Sequence, residues 1–257
     1  MTAHPLFDLA GRAVIVTGGA VGIGKVYCER LVEAGARVVI ADIAPEAGEV
    51  LARRLANAGD VVSHATDIAD PASVERMVEA TLARFGRIDG LVNNASLMSA
   101  LPRRSWLEIP IEEWDRVMAV NLRGLFLCCR AAVPAMRRLG KGRIVTIAST
   151  RVFEGTPNRL HYTTSKAGVV GFTRALAREL GPENITVNCV APGRTLSETQ
   201  LATSPAAYLQ DGADETRALA RPQLPDDLVG AVMFLLSDAS AFMTGQTLVV
   251  DGGKIMH

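Results

Sequence analysis

Short apolar runs alternate with longer amphipathic ones along the whole chain. The stretches Ala13–Thr17, Arg37–Ala41, Val61–Thr66, Gly90–Val92, Arg143–Ala148, Thr186–Val190 and Thr247–Val250 read as buried strands. Between them, Ile23–Ala34, Pro45–Ala58, Pro71–Phe85, Ile111–Arg138, Tyr162–Leu180 and Pro225–Leu236 carry the pattern of helices. Strands alternating with helices argue for βαβ units and a parallel sheet. No linker or internal repeat divides the chain, so residues 1–257 are expected to form one α/β domain. The periodicity loosens over residues 195–221, where a long irregular segment is either a functional lid or a disordered loop.

The composition narrows the classes. At 257 residues and 49% hydrophobic, the chain can build one substantial core. Formal charge is zero and no basic block occurs, which gives nucleic-acid binding no support. Cys28, Cys128, Cys129 and Cys189 form no C-x-x-C, so small buried thiols in a reducing compartment are expected. Met1–Arg12 lacks a signal-like apolar region, and no apolar stretch is expected to approach about 18 residues. The expectation is a soluble cytoplasmic protein, with no membrane partner. His4, His64, His161 and His257 lack ligand spacing, so no metal is expected. His161 reads as a structural residue near the mouth of a pocket.

Tyr162 and Lys166 carry the strongest chemical signal. Four apart on a helix, they share a face, about 5–6 Å apart at Cβ. A free tyrosine titrates at about 10, and a neighbouring cation favours its phenolate. Ser149 follows the strand run ending at Ala148, at the carboxyl edge where open α/β sheets put ligands. The first strand runs into Gly18-Gly19-Ala20-Val21-Gly22-Ile23-Gly24. Such a turn lets backbone approach a pyrophosphate at a helix N-terminus, although its Gly-x3-Gly-x-Gly spacing departs from Gly-x-Gly-x-x-Gly. Asp42, ending the second strand 18 residues after Gly24, can accept from adenosine ribose hydroxyls and repel a 2′-phosphate. A helix-capping role before Ala44-Pro45 stands beside that reading.

With Asp67-Ile68, Asn93-Asn94-Ala95, Asn121, Pro192-Gly193 and the closing Gly245-Gln246-x4-Asp251-Gly252-Gly253, these motifs resemble the short-chain dehydrogenase/reductase family over essentially the whole chain. Three segments, 153–158, 171–177 and 244–251, look most like pyridoxal 4-dehydrogenases and 1-phenylethanol dehydrogenases. The resemblance implies a single Rossmann-type, doubly wound domain with a seven-stranded parallel sheet and a lid at 195–221. It implies Tyr162 as acid-base group and Ser149 as holder of the substrate oxygen. Lys166 would lower the phenol pKa and bond the nicotinamide ribose. Asn121 would position a relay water through its carbonyl, or satisfy a local helix break. The cofactor would lie along Gly18, Val21, Gly22, Ile23, Gly24, Asp42, Ile43, Asp67, Ile68, Asn94, Ala95, Tyr162, Lys166, Pro192, Gly193 and Thr195. Relatives that use NADP tend to carry a basic residue at the positions of Val21 or Ile43; both are neutral here, so NAD is expected. Ser96 stands where the family usually has glycine.

Arg151, Arg159 and Arg194 flank the same motifs, and guanidinium groups bind carboxylates and phosphates bidentately. With Ser96 and Ser149 they form the expected substrate set. The sequence therefore leads to an NAD-dependent dehydrogenase of a small polar or anionic alcohol, such as a sugar, sugar acid or ring hydroxymethyl compound. The alternative is an NADPH-dependent 3-oxoacyl-thioester reductase; a nicotinamide-binding protein without turnover is the non-enzymatic reading. A homotetramer is expected from the resemblance.

Overall fold

The computed structural model describes residues 5–203 and 216–256. Seven parallel strands, β1 (Ala13–Thr17), β2 (Arg37–Asp42), β3 (Val61–Ala65), β4 (Gly90–Asn93), β5 (Gly142–Ile147), β6 (Ile185–Pro192) and β7 (Thr247–Val250), form one sheet. Their spatial order is β3-β2-β1-β4-β5-β6-β7. The chain winds outward from β1 to β3, then returns to lay β4 beside β1 before winding the other way. That reversal opens a crevice at the carboxyl ends of β1 and β4, the position at which doubly wound sheets bind ligands.

Successive residues of a strand face opposite sides, and here both sides are buried. Ala13 and Ile15 enter one core with Val39 and Ala41, while Val14 and Val16 enter the other with Val38 and Ile40. The first core is covered by α3 (Pro71–Phe85), α5 (Leu125–Leu139) and α7 (Leu160–Leu180). The second is covered by α1 (Gly22–Glu33), α2 (Pro45–Leu55) and Asp226–Leu236, here α9. Two-sided burial is why these strands are continuously apolar in sequence.

The helix expected over Ile111–Arg138 is interrupted. After α4 (Ile111–Met118), residues Ala119–Gly124 form a π-helical turn before α5 begins. Such turns widen the ladder locally and aim a side chain elsewhere; here the buried side chain is Asn121. The whole stretch Ile111–Leu139 is also long and apolar enough to cross a membrane by composition, against the expectation that no segment is. Half of its most apolar window is buried within the protein. Cys128, Ala132 and Met136 are fully enclosed in the first core, and that burial accounts for the apolar composition of this face.

Two short helices went unread in the sequence: α6 (Arg151–Glu154) and α8 (Glu198–Thr203). The lid expected at 195–221 lies partly, over 204–215, outside the described residues. Its start is pinned to the body, since Leu196 N donates to Gln223 O at 2.8 Å and Gln223 Nε2 donates to Val250 O.

Candidate active site

A single cavity of about 1240 Å³ runs along the crevice. Asp42, Ile43, Asp67 and Ile68 line it, as do Gly18, Val21, Gly22, Ile23 and Gly24. So do Asn94, Ala95, Ser96, Ser149, Tyr162, Lys166, Pro192, Gly193 and Thr195. Every cofactor position expected from sequence therefore borders one space; of the four catalytic positions, Asn121 borders a small adjoining void behind Lys166.

The glycine turn is shaped by close approach. Gly18 and Gly22 adopt φ of 62° and 60°, and a Cβ on Gly24 would lie 2.0 Å from the Gly18 carbonyl oxygen. Asn94 locks this turn, donating from Nδ2 to the carbonyls of Thr17 (3.0 Å) and Gly18 (2.9 Å). Thr17, the strand residue just before the turn, bonds in return: its hydroxyl accepts from the backbone N–H groups of Asn94 and Ala95, both at 3.1 Å. The ends of β1 and β4 are thus fixed to each other.

Asp42 is buried, and each carboxylate oxygen accepts one backbone N–H, Ala20 at 2.9 Å and Ala44 at 3.1 Å. The Ala44 bond is an Asx-type turn ahead of α2, whose N-cap is Ala44 with no side-chain cap, so Asp42 does not cap that helix as the sequence allowed. Each oxygen keeps a further lone pair, so this turn and hydroxyl recognition are compatible. Val21 and Ile43 beside it are exposed and uncharged.

At the other end, Tyr162 is buried, and Ser149 lines the cavity with it. Burial pushes the Tyr162 pKa above its ordinary value; the opposing influences are the Ser149 hydroxyl and the positive charges of Arg151 and Arg159. Lys166 is not among them. Its ammonium donates to the Ile147 carbonyl at 2.7 Å and lies 5.8 Å from the centre of the Tyr162 ring. Its own burial lowers its pKa to about 8. As found, the lysine braces helix to strand.

The Asn121 side chain is fully engaged: Oδ1 accepts from Leu97 N at 2.8 Å, and Nδ2 donates to Ser165 Oγ at 3.0 Å and to Leu97 O. It ties the π turn both to the loop after β4 and to α7. The three arginines all line the cavity and are half-buried. They are not simple open forks. Arg151 Nη2 donates to Thr156 O and Pro157 O at 2.9 and 2.8 Å, and Arg159 Nη2 to Leu101 O at 2.8 Å. Arg103 and Lys254 line the same cavity, and Lys254 pairs with Glu154 at 3.4 Å. Ser96 Oγ is buried with no hydrogen-bond partner among the described residues. Leu97 and Met98 complete this wall; no motif marked them.

His161 is not at the pocket mouth. It is fully buried, its Nε2 3.2 Å from Glu113 Oε1 but not aligned as a hydrogen bond. Among the described residues no group of metal-ligating side chains occurs.

Comparison with known proteins agrees with this geometry. A family model described as enoyl-(acyl carrier protein) reductase matches residues 18–254. A protein of Rhizobium meliloti (strain 1021) described as "Probable galactose dehydrogenase GalD" is 40% identical over 96% of both chains. A 3-oxoacyl-[acyl-carrier-protein] reductase of Synechocystis sp. (strain ATCC 27184 / PCC 6803 / Kazusa) is 36% identical over 96% of this chain and 98% of its own. Among solved structures, a short-chain type dehydrogenase/reductase from Mycobacterium marinum superposes over the full length of both chains with a TM-score of 0.89 at 35% identity. A 3-ketoacyl-(acyl-carrier-protein) reductase from Brucella melitensis complexed with NADH gives 0.88 at 33% identity, covering 96% of this chain and all of its own. The chain belongs to the short-chain dehydrogenase/reductase family of oxidoreductases.

Proposed function

We propose that this protein is an NAD-dependent dehydrogenase that oxidises a CH–OH group of a small polar or anionic alcohol: a sugar, a sugar acid or a ring hydroxymethyl compound. The observation that carries the reading is one cavity joining Asp42, with neutral Val21 and Ile43 beside it, to Ser149 and Tyr162. A bound nicotinamide would supply the hydride acceptor. Asp42 would take the adenosine ribose hydroxyls, the Gly18–Gly24 turn the phosphates, Asp67 and Ile68 the adenine, and Thr195 the nicotinamide amide. Tyr162 accepts the alcohol proton, Ser149 orients the alcohol oxygen, and Lys166 holds the helix of Tyr162 against the strand that leads to Ser149. The unpartnered Ser96 Oγ offers a further polar contact to substrate, and Arg151, Arg159 and Arg194 favour a polar or anionic one.

A 3-oxoacyl-thioester reductase is favoured by one observation, the similarity to two proteins so named. Because the Brucella melitensis structure is complexed with NADH, cofactor preference alone does not separate the readings. A panel does. Sugars, polyols, sugar acids and aromatic alcohols are offered with NAD and NADP, and an acetoacetyl thioester with NADH and NADPH, following absorbance of the reduced nicotinamide. Turnover of a polar alcohol with NAD supports the proposal; efficient reduction of only the thioester refutes it.

Homotetrameric assembly in the cytoplasm belongs to the same proposal. Its support is the family resemblance and the exposed Phe126 on α5. A monomer by light scattering at micromolar concentration would overturn the assembly.

A further inference from the structure

The segment after β6 returns to the glycine turn at one point. Ser197 and Thr199 line the cavity opposite Gly22, whose missing side chain leaves room for them: a Cβ there would lie 2.9 Å from Thr199 Oγ1. Glu198, between them, does not line the cavity. Its carboxylate lies outside, where Oε1 accepts from Gly22 N at 3.1 Å and Oε2 from Lys25 Nζ at 2.8 Å. These bonds join residues more than 170 positions apart. They use a free N–H at the positive end of the twelve-residue α1 and a cation one turn further on. The lysine and the N–H together hold the Glu198 carboxyl below the ordinary carboxylate range.

Two roles are open to a carboxylate at this place. It could occupy a phosphate position and compete with a dinucleotide, or fasten the segment across the channel from outside. The geometry separates them. The cavity is open with both Glu198 bonds made, and Glu198 is not among the described residues that line it. We propose that Glu198 is a clasp: by gripping Gly22 and Lys25 it holds Ser197 and Thr199 over the cofactor's phosphate channel and slows cofactor release. Glu198 is therefore a positioning residue that acts through its two neighbours. This inference rests on the proposed cofactor site along Gly18–Gly24.

The test is stopped-flow release of NADH from the intact protein, with Glu198→Gln, Lys25→Met and the double variant. Losing a partly exposed charge-assisted grip should raise the release rate about three- to tenfold. The association rate and the melting temperature should change little. The double variant should match the faster single one, because both remove one clasp, and raising salt should speed release from the unmodified protein while leaving the variants nearly unaffected. Unchanged release in Glu198→Gln overturns the clasp. Slower release overturns it in favour of competition for the phosphate position, and multiplied effects in the double variant overturn it too, because two residues of one clasp cannot act separately. If the unmodified protein binds neither NADH nor NADPH, the cofactor reading itself has failed, a result distinct from all of these.

Discussion

Lys166 donates to the Ile147 carbonyl at 2.7 Å, and this bond joins the helix that carries Tyr162 to the strand that leads to Ser149. An ammonium so enclosed is costly to ionise, and its pKa falls from its ordinary 10.5 to about 8. Below about 8 both folded and unfolded chains hold the proton, so the burial cost is fully present. Between about 8 and 10.5 the unfolded chain binds more protons, so stability from this group rises with pH. Lys166→Met removes the cost, worth roughly 3 kcal/mol or less once the lost bond to Ile147 is counted. Relative to that variant, the unmodified protein should gain stability as pH climbs from about 8 to 10.5, read as the difference in melting temperature. A constant difference across that window would show that Lys166 is not buried in charged form.

Tyr162→Phe should reduce turnover by at least the 10²–10⁴-fold typical of a lost acid-base group, while nucleotide affinity changes little. Retention of more than about a tenth of the activity would remove Tyr162 from the acid-base role.

Arg151 and Arg159 are the charges that oppose the burial of the Tyr162 phenol. Alcohol oxidation needs the phenolate, so kcat/KM should rise with pH. Replacing either arginine by Met raises the phenol pKa and should move that rising limb to higher pH. A neutral short alcohol isolates this from any contact with an anionic substrate. A lower plateau without movement of the limb would mean that the arginines serve only as braces for the carbonyls of Thr156, Pro157 and Leu101.

Asp42→Ser with Ile43→Arg removes a repulsive carboxylate and adds a phosphate partner beside the ribose position. The ratio of kcat/KM for NAD over NADP should fall at least tenfold, about 1.4 kcal/mol. Equal use of both cofactors by the unmodified protein would defeat the NAD assignment before any variant is made.

Two glycines give opposite outcomes. Gly24→Ala forces a Cβ to within 2.0 Å of the Gly18 carbonyl oxygen and 2.6 Å of Asn94 Nδ2. It should cost at least about 2 kcal/mol and weaken cofactor binding. Gly171, inside α7, has open space around its Cβ position; Gly171→Ala should stabilise by up to about 1 kcal/mol through helix propensity. Melting temperatures of the two variants check both.

The sequence alone determined what short-range physics writes into neighbouring residues. The seven strands were legible because a strand buried on both faces is apolar throughout, and their bounds shifted by only a few residues. Tyr162 and Lys166 were legible because helix geometry puts positions four apart on one face, and the glycine turn because its backbone must take positive φ. Tertiary structure decided what these groups touch. Asn121 hinted at a local helix break, but the π turn at Ala119–Gly124 is fixed only where its side chain finds Leu97 and Ser165. The partner of Lys166 is a carbonyl nineteen residues away rather than the tyrosine four away. His161, adjacent to Tyr162 in the chain, turns away from the cavity into a buried contact with Glu113. Glu198 carries no local signal, since its partners stand at the opposite end of the chain. Side-chain charge acts through space, and only the folded sheet brings those distances down to about 3 Å.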